Sequence, residues 1–139
     1  MKKYLLLLSF LAPLCAYAAE ENLRFVVEDD NRKIFVDISS IQRVGQYVRA
    51  WSIFDYSTSA QVPNRSFTFI SDKSLFFYDC RKKRLGRATQ VLYSQPGGKG
   101  ESLTTYSGKM QDIQFSNVTS GTVGENLFDF VCTYDMKSR

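Results

Sequence analysis

Residues 122–134, T-V-G-E-N-L-F-D-F-V-C-T-Y, are the one substantial helical stretch in a chain that otherwise reads as strands. Thr122 with Glu125 three residues on makes a capping box, each side chain satisfying an orphan backbone N–H of the other. Leu127, Phe128 and Val131 then recur at helical spacing, an apolar stripe fit to lie on a sheet. Cys132 falls four residues after Phe128, on the same face. Its expected partner is Cys80, at the end of the strand-like run 74–80. A bond between them pins the helix to that strand, so the chain must fold as a sheet with the helix fastened to it.

The pairing follows from what happens at the N-terminus. Lys2 and Lys3 form a basic opening, an apolar run follows to Leu14, and Ala16-Tyr17-Ala18 supplies the small-x-small pattern of a signal-peptidase site. The expected cut lies between Ala18 and Ala19, making residues 1–18 a signal peptide and 19–139 one domain. The apolar run is shorter than the ~20 residues that span a bilayer, which argues against an uncleaved anchor, so no membrane-spanning segment is expected after cleavage. Cys15 lacks the small residues a lipobox needs, since Pro13 and Leu14 precede it. It is expected to leave with the signal peptide. Two cysteines then remain in an exported chain, and one disulfide is the economical reading.

Losing Lys2 and Lys3 also lowers the formal charge from +4 to +2. A balance this close to zero argues against a nucleic-acid binder, which concentrates basic residues on one face.

The body of the domain is a succession of strands. Residues 23–28 and 33–37 flank Asp29-Asp30-Asn31, which marks a hairpin. Asp37 or Ser39 caps a single helical turn over residues 40–43, ended at Gly45. Residues 47–56 form the longest strand, and neither of its faces is cleanly polar, which places it centrally with the helix over one side. Residues 57–73 read either as loop, from Pro63-Asn64, or as an edge strand through residues 67–70. Further strands run over residues 85–94 and 101–107, joined at Pro96-Gly97-Gly98-Lys99-Gly100, and residues 113–118 lead extended into the helix. The expected fold is α+β: a single domain with a multi-stranded antiparallel sheet and a C-terminal α-helix tied to it by a disulfide.

The chemistry is spare. There is no histidine, which removes His-based metal sites, Ser–His and Cys–His nucleophile pairs and the commonest general base. No cofactor, metal site or enzymatic activity is expected. Asp37 with Asp55 reads as solvated or turn-capping carboxylates. The glycines at 97–100 lack the G-x-x-x-x-G-K-[ST] spacing of a phosphate loop. The sequons at Asn64 and Asn117 carry no weight behind a bacterial-looking Met-Lys-Lys opening. The densest charge feature is Arg81-Lys82-Lys83-Arg84, with Arg87 close by. It reads either as a solvated strand connection or as a docking patch for an acidic partner. Phe67, Phe69, Phe76, Phe77 and Tyr78 read mostly as core, with some available for a binding surface.

Four blocks in order carry a resemblance: I-F-V-D-I-S-S-I from Ile34, Y-V-R-A-W-S-I-F-D-Y from Tyr47, F-Y-D-C-R-K-K-R from Phe77, and G-T-V-G-E-N-L-F-D-F-V-C from Gly121. Together they resemble the surface-adhesin protein E family, small exported domains of Gram-negative bacteria. The resemblance implies an antiparallel sheet with a disulfide-tied C-terminal helix. It also implies an adhesin whose founding type, a surface lipoprotein, binds host matrix and serum proteins such as vitronectin, laminin and plasminogen. This chain departs from that type in lacking a lipobox, so it is expected in the periplasm, at the cell surface or released. A protein partner is expected, a host matrix protein or an envelope protein. A periplasmic inhibitor, for instance of lysozyme, and an envelope structural factor without a soluble ligand stay open as alternatives. A positive charge suits the basic lysozyme poorly.

Overall fold

The computed structural model describes residues 22–137. Cys15 and the expected cut between Ala18 and Ala19 lie outside them. Alternation and turn chemistry build the first hairpin as expected. Strands β1 (Leu23–Glu28) and β2 (Arg32–Asp37) pair antiparallel around a turn organised by Asp29. Its carboxylate accepts the N–H groups of Asn31 (3.0 Å) and Arg32 (2.8 Å) and pairs with the Arg32 guanidinium. That guanidinium holds the Asp29 carboxyl below the usual carboxylate range.

The next segment departs from expectation. The helical turn is a 3-10 turn over Ile38–Ser40, not residues 40–43, and strand β3 (Gln42–Val44) follows it. Asp37 is the cap, accepting Ser39 N–H at 3.0 Å, so the turn starts and finishes early. The Ser40 hydroxyl then donates to Asp37 O (2.6 Å) and accepts Trp51 N–H (2.9 Å), which delivers Gln42–Val44 to the next strand. Gly45, at φ +60°, makes the turn out of β3 instead of ending a helix.

Strand β4 (Tyr47–Gln61) is the longest and is central, bonded to β2 and β3 on one side and β5 (Thr68–Asp79) on the other. Residues 57–73 hold both expected features: residues 62–67 are a loop with its turn at Pro63-Asn64, and residues 68–73 are strand. They are the far end of the β4–β5 hairpin, with a register slip between Asp55 and Ala60. Beyond Tyr56 and before Ser71 the two strands pair only with each other, and the Phe69 and Tyr56 rings, packed edge-to-face at 5.2 Å, secure the extension. Strands β6 (Arg84–Gln95) and β7 (Lys99–Ser107) complete the main order β1-β2-β4-β5-β6-β7, and β8 (Ser116–Asn117) pairs with the start of β6.

Helix α1 (Val123–Lys137) lies on the face of the sheet carrying Ile34, Val36, Val48, Ala50, Phe76 and Tyr78. Leu127, Phe128 and Val131 are buried against it, as their spacing requires. The capping box forms with one change. Thr122 Oγ1 accepts Glu125 N–H (3.2 Å), while the Glu125 carboxylate takes Gly121 N–H (2.7 Å) in place of Thr122's. Cys80 and Cys132 are disulfide-bonded, with Cα atoms 5.8 Å apart and a sequence separation of 52. An ion pair from Arg43 to Asp135 fastens the helix's last turns to β3.

Across the opposite face, residues 113–115 cross the sheet closely. A Cβ at Gly86 would lie 2.5 Å from Ile113 Cγ2, so only glycine admits the crossing. Phe115 stacks on Tyr47 there, centroids 5.1 Å apart.

Closing a loop of this length removes chain entropy worth about 4 kcal/mol from the unfolded state. Cys132→Ser is expected to lower unfolding free energy by an amount of that order, read as a lower denaturant midpoint; an unchanged midpoint would mean the staple contributes nothing.

Candidate binding surface

The basic run forms a turn, but its members do different work. With β5 ending at Asp79 and β6 starting at Arg84, the chain reverses through Cys80–Lys83. Asp79 is almost fully buried and organises the reversal, accepting Lys82 N–H at 3.1 Å and Arg84 Nη2 at 3.2 Å. Burial by itself would raise the Asp79 carboxyl. The Lys82 N–H, the Arg84 guanidinium and the Lys82 charge outweigh it and hold the group below its ordinary value. Lys83, at φ +50°, gives its carbonyl to Val118 N–H (3.0 Å). Arg84 is half-buried, paired to Asp79 and lying over the Phe115 ring.

Arg81, Lys82 and Lys83 are exposed, with no side-chain ion pair among the described residues. The structure therefore divides the sequence-derived set. Three cations make a tip, Arg84 is the strut that holds it, and Arg87 sits elsewhere, opposite Phe76 on β6. No sequence signal separates Arg84 from its neighbours, because its partner Phe115 is distant in the chain.

Arg87 belongs to a polar cluster that sequence reasoning missed. Asp72, 2% exposed, accepts hydrogen bonds from Tyr56 OH (3.0 Å) and Ser74 Oγ (2.8 Å), with Gln90 and Arg87 beside it. Burial pushes the Asp72 carboxyl up against the opposing hydrogen bonds. Burial first, and the Asp72 carboxylate second, push the Tyr56 phenol up to about 12. Arg32 faces Tyr56 across β2 and β4, so the cluster bridges four strands. The visible signal was S-D-K-S inside an apolar strand, which puts a carboxylate on the core side.

The other candidates fall as structural groups. Asp37 caps the 3-10 turn, while Asp55 accepts Gly97 N–H; the two are not brought together. Gly98 N–H goes to Ser71 Oγ (3.0 Å), so the glycine run is a hairpin turn folded onto the sheet. Phe69, Phe76, Phe77 and Tyr78 are buried and Phe67 is half-buried, so this stretch supplies core; the exposed large apolar residues are Phe25, Val44, Tyr106 and Met110. Among the described residues no three carboxylate or cysteine side chains gather into a metal-binding group.

The chain is a half-covered antiparallel sheet with one stapled helix and a cationic turn at the end of β5. The family model described as Surface-adhesin protein E matches residues 23–133, and the chain belongs to that family. Solved structures agree on the fold. Protein E of Haemophilus influenzae is 17% identical with a TM-score of 0.59, the match covering 80% of this chain and 83% of that one. A second crystal form of that protein gives 16% identity and a TM-score of 0.57, covering 83% and 97%. No curated protein sequence matches the chain.

The Asp72 carboxyl yields a pH prediction. Its raised pKa means that the folded state bears a cost above that pKa which disappears as pH falls below the ordinary carboxylate value. Asp72→Asn, which resembles the protonated form, is expected to raise the denaturant midpoint at pH 7, with the gain vanishing near pH 3.5. A gain that grows on acidification would reverse the assignment.

Proposed function

We propose that this chain is an exported, non-enzymatic adhesin-type module that docks an acidic surface of a protein partner on the tip formed by Arg81, Lys82 and Lys83. Host extracellular-matrix or serum proteins are the partner class that the family suggests. One observation carries the reading: the three cations stand on a backbone already fixed by Asp79, by the Val118–Lys83 hydrogen bond and by the neighbouring Cys80–Cys132 bond. Rigid presentation lowers the ordering cost of binding. Clustered charge of one sign speeds encounter with a complementary surface.

Export rests on the N-terminal pattern, with processing between Ala18 and Ala19. Among the described residues, no helix is long and apolar enough to cross a membrane.

Replacing Arg81, Lys82 and Lys83 together by Ser is expected to slow association with immobilised vitronectin or laminin by about tenfold or more, and to flatten its salt dependence. Circular dichroism of the variant should match the parent; equal binding by a folded variant returns the tip to a solvated connection. Location is tested by protease treatment of intact cells, read with an antibody against the domain. Cleavage on whole cells is expected for a surface adhesin, whereas protection until the outer membrane is opened would assign the module to the periplasm.

A further inference from the structure

The sheet face turned away from α1 is covered at its two ends. At one, the turn after β6 folds over Ile53 and Lys73, where a Cβ on Gly98 would sit 3.7 Å from Ile53 Cδ1. At the other lies the crossing of Ile113 over Gly86. Between them Trp51, Leu75 and Thr89 stand opposite one another on β4, β5 and β6. Beside Trp51 opens a groove of about 520 Å³, floored by Arg49, Trp51 and Leu75 and walled by Gln42 and the serines of the 3-10 turn.

The groove is built, not incidental. Ser40 Oγ ties the wall to the Trp51 backbone at 2.9 Å. Gln42 stands opposite Arg49, and its Oε1 accepts Arg49 Nη2 at 2.7 Å. That neutral amide is Arg49's hydrogen-bond partner, and no carboxylate lines the groove. Lys73 Nζ lies over the Trp51 ring, 5.5 Å from its centroid, yet Lys73 is not part of the lining. Trp51 thus lines the groove with Arg49, while Lys73 lies over its ring from outside the lining.

We propose that this groove binds a carboxylate-bearing sugar unit, a uronic or sialic acid residue of a glycan. A guanidinium with one donor engaged keeps its planar fork for two parallel bonds to a carboxylate. Trp51 beside it adds apolar surface for the C–H side of a sugar ring. The Gln42 amide and the serine hydroxyls match ring hydroxyls. A peptide anchor needs an enclosed, desolvated pocket for its side chain, and this floor is open. The site is separate from the Arg81–Lys83 tip and goes beyond the protein-docking reading.

Trp51 is the chain's single tryptophan, so its emission reports occupancy of the groove directly. The exported domain is titrated with sialyllactose, with a glucuronic-acid disaccharide and with neutral lactose. A saturable change with at least one acidic sugar is expected, at an affinity about tenfold or more above lactose. Arg49→Gln should abolish that preference, Arg49→Lys should keep part of it, and the Ser-substituted tip should leave it unchanged. Three results would overturn the proposal: no saturable response to either acidic sugar, equal affinity for lactose, or tighter binding of a capped tri-glutamate peptide, which would assign the groove to protein. Should Arg49→Gln lose its fold by circular dichroism, the Arg49→Lys and lactose comparisons decide alone.

Discussion

The covalent bond between Cys80 and Cys132 sets the geometry on which the rest of this domain depends. It joins the residue just after a central strand to the second half of the helix, which holds α1 over β1, β4 and β5. Once there, the helix buries Leu127, Phe128 and Val131 on Val48, Ala50 and Tyr78. The same bond sits beside the cationic turn, so the groups that hold the core also hold the exposed tip. Stability and presentation share one anchor.

A single 15-residue helix is about 22 Å long and cannot shelter a six-strand width on one face, nor anything on the other. The molecule meets this shortfall in three ways. Past the helix, Tyr56, Asp72, Ser74 and Gln90 satisfy one another where apolar packing runs out. On the opposite face the glycine-rich turn and the Ile113–Phe115 crossing close the two ends. What is left open, around Trp51 and Arg49, is polar enough to face water.

Features written in local spacing were legible in the sequence. The β1 boundaries, the centrality of β4, the helix and its stripe, and the staple all follow from patterns a few residues long. Residues 40–43 misled because an Asp cap followed by a glycine has the same signature whether the chain makes a longer helical turn or a 3-10 turn and a short strand. Pro63-Asn64 likewise marks a turn without telling how far the flanking strands run. The candidate site was legible in composition and not in roles: four consecutive cations look alike until Phe115 and Asp79 claim Arg84. The Asp72 cluster and the Trp51 groove depend on register across strands, which no single segment encodes.

The helix is the last element of the chain, yet it packs on β1, the first described strand. The core therefore cannot close until Leu127, Phe128 and Val131 have joined it, and its contacts are long-range in sequence, which slows folding. Arrival of Cys132 at Cys80 then lets packing and oxidation lock the domain in one event.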